Sequence, residues 1–114
     1  MKLIDWFAAI ILFLLGCVHN FIAAPATYDS LNTTAMWFVS GGVMLWYAAI
    51  INFFWLRAGA GDRTAARLAA TSNIVLLGFA VLFVYAKQSW ADPQNILLLA
   101  PAFWLSARSI RASF

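Results

Sequence analysis

The chain has 114 residues, 65% of them hydrophobic and only 10% charged, with a mean hydropathy of +0.87. Soluble domains run near half apolar and a quarter charged, and a short soluble chain buries the smallest share of its surface, so this composition calls for lipid as the covering medium. The net charge of +3 comes from basic residues scattered at segment ends, with no basic stripe interleaved with aromatics, which excludes a nucleic-acid partner.

A helix that crosses a bilayer needs roughly 17–25 predominantly apolar residues. Residues 3–24 meet that requirement first. Leu14-Leu15-Gly16-Cys17 has the form of a lipoprotein cleavage box, but the residues after it stay apolar through Ala24, so the run is expected to be retained as a span. Cys17 is the only cysteine, so no intrachain disulfide can form. Leu12, Gly16, His19 and Ala23 follow three-and-four spacing, which puts His19 on a face with small residues that admit a close neighbour. A short connection, 25–33, carries Tyr28 and Asp29.

Residues 34–56 form the second predicted span. Ser40 and Tyr47 lie seven apart on it, Gly41-Gly42 allow close packing, and Trp46 near its middle needs a partner for its N–H. The third span, 68–86, repeats the seven-residue spacing in Thr71, Gly78 and Tyr85. The fourth, 93–107, is short; Asp92 suits its N-cap and Pro93 its first turn, and Pro101 interrupts it. A prolyl break is tolerated in lipid where neighbours satisfy the freed backbone. Four spans are expected, a re-entrant or interfacial fourth segment being the alternative.

The connections are short, which makes successive helices antiparallel neighbours in one domain over 1–114. The expected fold is an all-α membrane protein, an antiparallel bundle of four transmembrane helices. Lys2, Arg57, Arg63, Arg67, Arg108 and Arg111 fall on one side of it, against Lys87 alone on the other. That bias places both termini in the cytoplasm. Trp6, Trp55 and Trp104 at the inner boundary, with Trp37 and Trp90 at the outer one, form the matching interfacial belt.

Depth can be counted at about 1.5 Å per residue. His19, Ser40 and Tyr85 then share one level near the outer boundary, with Tyr28 and Asp29 just above. These five are the expected ligand-binding residues of an outward-facing polar pocket, the alternative being that His19 only fixes packing. Histidine is the one side chain in the spans that titrates near neutrality, which also makes His19 the residue a catalytic reading would need. Asn52 and Asn73 reach equal depth near the inner side and are expected to clamp the second and third helices together. One His and one Cys are too few ligands for a metal, and no cofactor is expected.

Gly16 and His19 late in the first helix, Trp37-Phe38-x-Ser40-Gly41-Gly42 opening the second, Asn73 early in the third and Pro101 in the fourth give the chain its pattern. That order of features resembles the small bacterial four-span proteins described as DoxX-like. The resemblance spans most of the chain and implies the fold and a bacterial inner membrane; it assigns neither an activity nor site residues. Small multidrug-resistance transporters share the length and span number, but they use a glutamate embedded in the first helix, and this chain contains no Glu.

The expected function is therefore non-enzymatic: an accessory subunit of a larger membrane complex, or a binder of a small amphipathic ligand such as a lipid or quinone. A small dimeric transporter and a membrane enzyme acting on a lipid through His19 are the alternatives. Because the basic residues are so unevenly divided, a homodimer would be parallel.

Overall fold

The computed structural model describes residues 2–114, and every element among them is helical. Helix α1 runs over Lys2–Thr27, α2 over Thr33–Ala58, α3 over Arg63–Lys87 and α4 over Pro93–Ser113. The first three are long and apolar enough to cross a membrane, which makes this a multi-pass membrane protein.

Local chemistry explains each boundary. Asn32 caps α2 by accepting from the Ala35 N–H at 2.8 Å, and Asp62 caps α3 by accepting from Ala65 at 2.9 Å. Asp92 caps α4 through the Gln94 N–H, with Pro93 in the first turn where its missing N–H does no harm. Helix α2 stops at Gly59, whose φ of 92° is one that side-chain-bearing residues avoid. Helix α3 stops at Gln88 in the left-handed region, its side-chain amide donating to the Tyr85 carbonyl at 2.8 Å. Helix α4 continues past Ala107 to Ser113 because Arg108, although charged, has a buried partner waiting on α1. Pro101 is buried inside α4, and the helix persists through it.

One stretch of α1 departs from α-geometry. His19–Ala23 form a π-helical turn, in which the Ala24 N–H bonds the His19 carbonyl one residue further back than in an α-helix. Pro25 follows directly. Its ring would press on the carbonyl four residues earlier in a regular helix, and the wider turn relieves that contact.

Successive helices pack side by side, α1 on α2, α2 on α3 and α3 on α4, and α4 returns to α1. Bonds between Asn52 and Asn73, and between Asp5 and Arg108, join the end of one helix to the start of another, so neighbours run antiparallel. The loops 28–32 and 88–92 share one end, called the mouth here; Lys2, Ser113 and the loop 59–62 share the other.

The core is built from small residues. Ala9, Ala49, Ala66, Ala69 and Ala102 are essentially inaccessible, with Leu12, Leu76 and Leu105 filling between them. Large side chains such as Phe7, Phe21, Leu82 and Phe103 point outward. Small residues let backbones approach closely where lipid, not water, surrounds the helices.

Candidate functional site

At the mouth the π-helical turn aims Asn20 at α2. Asn20 is 9% exposed, and its carboxamide lies against Gly42, where a Cβ would collide with it. Among the described residues neither its Oδ1 nor its Nδ2 has a hydrogen-bond partner. One turn deeper, α1 and α2 meet at Gly16. A Cβ there would stand 2.6 Å from Cδ1 of Trp46 and 2.9 Å from the Gly42 carbonyl oxygen. The Trp46 Nε1 is also buried and unpartnered among the described residues. Buried polar groups are nearly always paired, so two such residues along one helix contact need an explanation.

A cavity of about 240 Å³ opens beside this contact. Its walls are Ala24, Leu31, Ala35 and Val39, its rim Tyr28 and Asp29, and Asn20 is its deepest residue on α1. Among the described residues Asp29 is the one charged group lining it. The volume lies below the roughly 300–1,000 Å³ of sites that enclose a drug-sized molecule, so it suits a head group whose remainder lies elsewhere.

Of the five residues singled out from sequence, Tyr28 and Asp29 line this cavity and His19, Ser40 and Tyr85 do not. His19 is turned toward α2: its ring stacks on Phe38 at 4.1 Å and 11°, and its Nε2 lies 2.8 Å from the Phe38 carbonyl oxygen. A carbonyl only accepts, so Nε2 donates. Tyr28 meets the same Phe38 ring edge-on at 5.4 Å. Ser40 donates to the Trp37 carbonyl at 2.6 Å and faces outward. Tyr85 is 63% exposed on α3, which stands diagonally from α1.

Asn20 is not among the residues expected from sequence, though a signal for it exists. It lies four residues after Gly16 and eight after Leu12, on the stripe that faces α2. His19, three after Gly16, fits the same rule, and its titratable ring makes it the more conspicuous of the two.

The opposite end is tied shut by two polar clusters. Asn52 donates to the Asn73 Oδ1 at 2.6 Å, and Asn73 returns a bond to the Asn52 Oδ1 at 2.9 Å. Asn52 also donates to the Ala48 carbonyl, and Asn73 to the Ser109 hydroxyl at 3.2 Å. Asp5, 1% exposed, accepts from the Trp104 indole at 2.8 Å and from Arg108 through both Nε and an Nη, at 3.1–3.3 Å. A larger groove of about 360 Å³ lies between α2 and α3 around Met44, Tyr47 and Val75. Asn20 and Trp46, the two residues among those described with buried unpartnered polar atoms, are not part of it.

No protein-family model, curated protein or solved structure matches this chain.

Proposed function

We propose that the chain is a four-span inner-membrane protein of bacterial type, with both termini cytoplasmic, that binds a small amphipathic ligand at its outward-facing mouth. The observation that carries this reading is the cavity of about 240 Å³ at the mouth, apolar along Ala24, Leu31, Ala35 and Val39, with Asn20, Tyr28 and Asp29 also in its lining. The orientation rests on the six basic residues at the termini end against Lys87 at the mouth.

A binder is favoured over a transporter because the cavity opens at the mouth, while Asp5–Arg108 and Asn52–Asn73–Ser109 hold the helices together at the other end. A catalytic role for His19 is disfavoured because its ring is stacked on Phe38, held by Nε2 to the Phe38 carbonyl, and does not line the cavity. The test is native mass spectrometry of the protein released from membranes in mild detergent. Wild-type protein should carry a small molecule that Asn20→Leu lacks; an identical mass for both, free of any adduct, would sink the reading.

A further inference from the structure

The basic residues at the termini end are not spread evenly around it. Arg57 lies in the last turn of α2, and Arg63 and Arg67 in the first two turns of α3, so all three flank the seam between those helices. They are exposed, and the one salt bridge among the described residues belongs instead to Arg108 and Asp5. The acid of the connecting loop, Asp62, uses its Oδ1 to cap α3. Three cations against one carboxylate leave a positive surplus at this end of the seam.

The groove of about 360 Å³ lies on the same seam and begins where the arginines stop. Leu68, directly after Arg67, and Thr71, one turn beyond it, both line the groove. Helical side chains lean toward the N-terminus of their helix, which carries the Arg63 and Arg67 guanidinium groups toward the level of the head groups. From there the groove continues toward mid-membrane between Ile51 and Met44 on α2 and Ser72 and Val75 on α3. Leu68, Tyr47 and Val75 are exposed, so it opens sideways to hydrocarbon. The Thr71 hydroxyl is spent on the Arg67 carbonyl at 2.9 Å. The Ser72 hydroxyl makes no such bond among the described residues, and it lies about 7.5 Å deeper than Arg67.

Cation, hydroxyl and apolar trough therefore follow one another in the order of a phospholipid's phosphate, ester carbonyl and acyl chain. We propose that this seam binds an anionic phospholipid of the leaflet on the termini side. Arg63 and Arg67 hold its phosphate, Ser72 donates to an ester carbonyl, and one acyl chain lies in the groove. Basic residues beside a gap between membrane helices are a recurring setting for anionic head groups. A second copy of the chain is the poorer occupant, because packed in parallel on this seam it would turn its own arginines toward these. A zwitterionic lipid brings a further cation to a place that already has a surplus.

Nanodiscs of dioleoylphosphatidylcholine holding a trace of acyl-chain diazirine probe, either phosphatidylglycerol or phosphatidylcholine, test this. Irradiation should attach the phosphatidylglycerol probe to peptides covering 44–51 and 68–76, about tenfold or more above the phosphatidylcholine probe. Arg63→Gln and Arg67→Gln, changes at exposed positions, should each lower that yield about fivefold, the worth of one cation near a membrane surface. Arg111→Gln removes an equally exposed cation at the same end, on α4, and should leave the yield alone. Asn20→Leu at the mouth should also leave it alone, which keeps this site separable from the one proposed above. Equal labelling by the two lipids would overturn the proposal. So would a loss in Arg111→Gln as large as in Arg67→Gln, since the attraction would then belong to the whole face. Exclusion of both probes from the groove, with a dimer mass in native mass spectrometry, would put a second copy there instead.

Discussion

Asn73 bonds Asn52 on one side and Ser109 on the other, so a single buried carboxamide joins α2, α3 and α4. All three side chains are inaccessible. The Ser109 hydroxyl in turn donates to the Leu105 carbonyl at 2.6 Å, which ties the cluster into the backbone of α4.

Interhelical hydrogen bonds in membranes average only about 0.6 kcal/mol, but Asn73→Leu does more than remove one. It leaves the Asn52 Oδ1 buried without a donor, so a loss of about 1–3 kcal/mol is expected. The double variant Asn52→Leu/Asn73→Leu removes both amides and should be less destabilised than the sum of the two single changes. Reversible unfolding in detergent measures this; additive losses would mean the two side chains act separately.

The Asp5 carboxylate accepts from both the Trp104 indole and Arg108, so removing its charge and removing its cation should differ in cost. Arg108→Leu strands a buried charge, and breaking a buried pair from one side costs about 3–5 kcal/mol. Asp5→Asn removes the charge and keeps an acceptor for the Trp104 indole, so it should be clearly milder. Unfolding midpoints in detergent give the order; an Asp5→Asn variant less stable than Arg108→Leu would contradict it.

The glycines divide by what surrounds them. Gly16→Ala meets the Trp46 indole and the Gly42 carbonyl, and overpacking of that kind costs about 1–3 kcal/mol. At Gly78 a Cβ would stand in open space, with nothing within 4 Å of it, so Gly78→Ala should stabilise α3 by up to about 1 kcal/mol through helix propensity. Thermal unfolding of both variants, with Trp emission followed in the first, checks the contrast.

His19→Phe keeps the stacking on Phe38 and removes the bond to its carbonyl. A modest loss of stability, about 0.5–1.5 kcal/mol, is expected, with any co-purifying molecule retained. Loss of that molecule at full stability would return His19 to the binding site in place of Asn20.

Reporter fusions test orientation. Fusions at Phe114 and within 59–62 should report cytoplasm, and one at Asp29 the opposite compartment. A non-cytoplasmic signal at Phe114 would mean that α4 does not span.

How much of this is legible without coordinates differs from residue to residue. Helix counting gives depth, and depth suffices for Asn52 and Asn73, because antiparallel neighbours with a short connection have little freedom in register. Azimuth is harder. Tyr85 shares the depth of His19, yet α3 stands diagonally from α1, and spacing along one helix does not say which neighbour its face meets. Asn20 is passed over for a different reason: it follows Gly16 at four residues just as His19 follows it at three, so spacing alone does not choose between them, and the titratable ring draws the choice. The far end of α4 is missed because hydropathy stops at the first arginine, while Asp5 supplies that arginine with a reason to stay in the helix.

The alanine-lined interior reverses the usual pattern of mutational tolerance. In a water-soluble core the damaging changes are those that shrink a large side chain; here Ala9, Ala49, Ala66, Ala69 and Ala102 hold the helices at their spacing, and even one added methylene has nowhere to go. Phe7, Leu82 and Phe103 on the outside can trade freely with any other lipid-soluble residue. A lineage carrying this fold would drift fast at its largest residues and hold still at its smallest, so relatives would share a scatter of alanines and glycines that composition-weighted comparison barely registers.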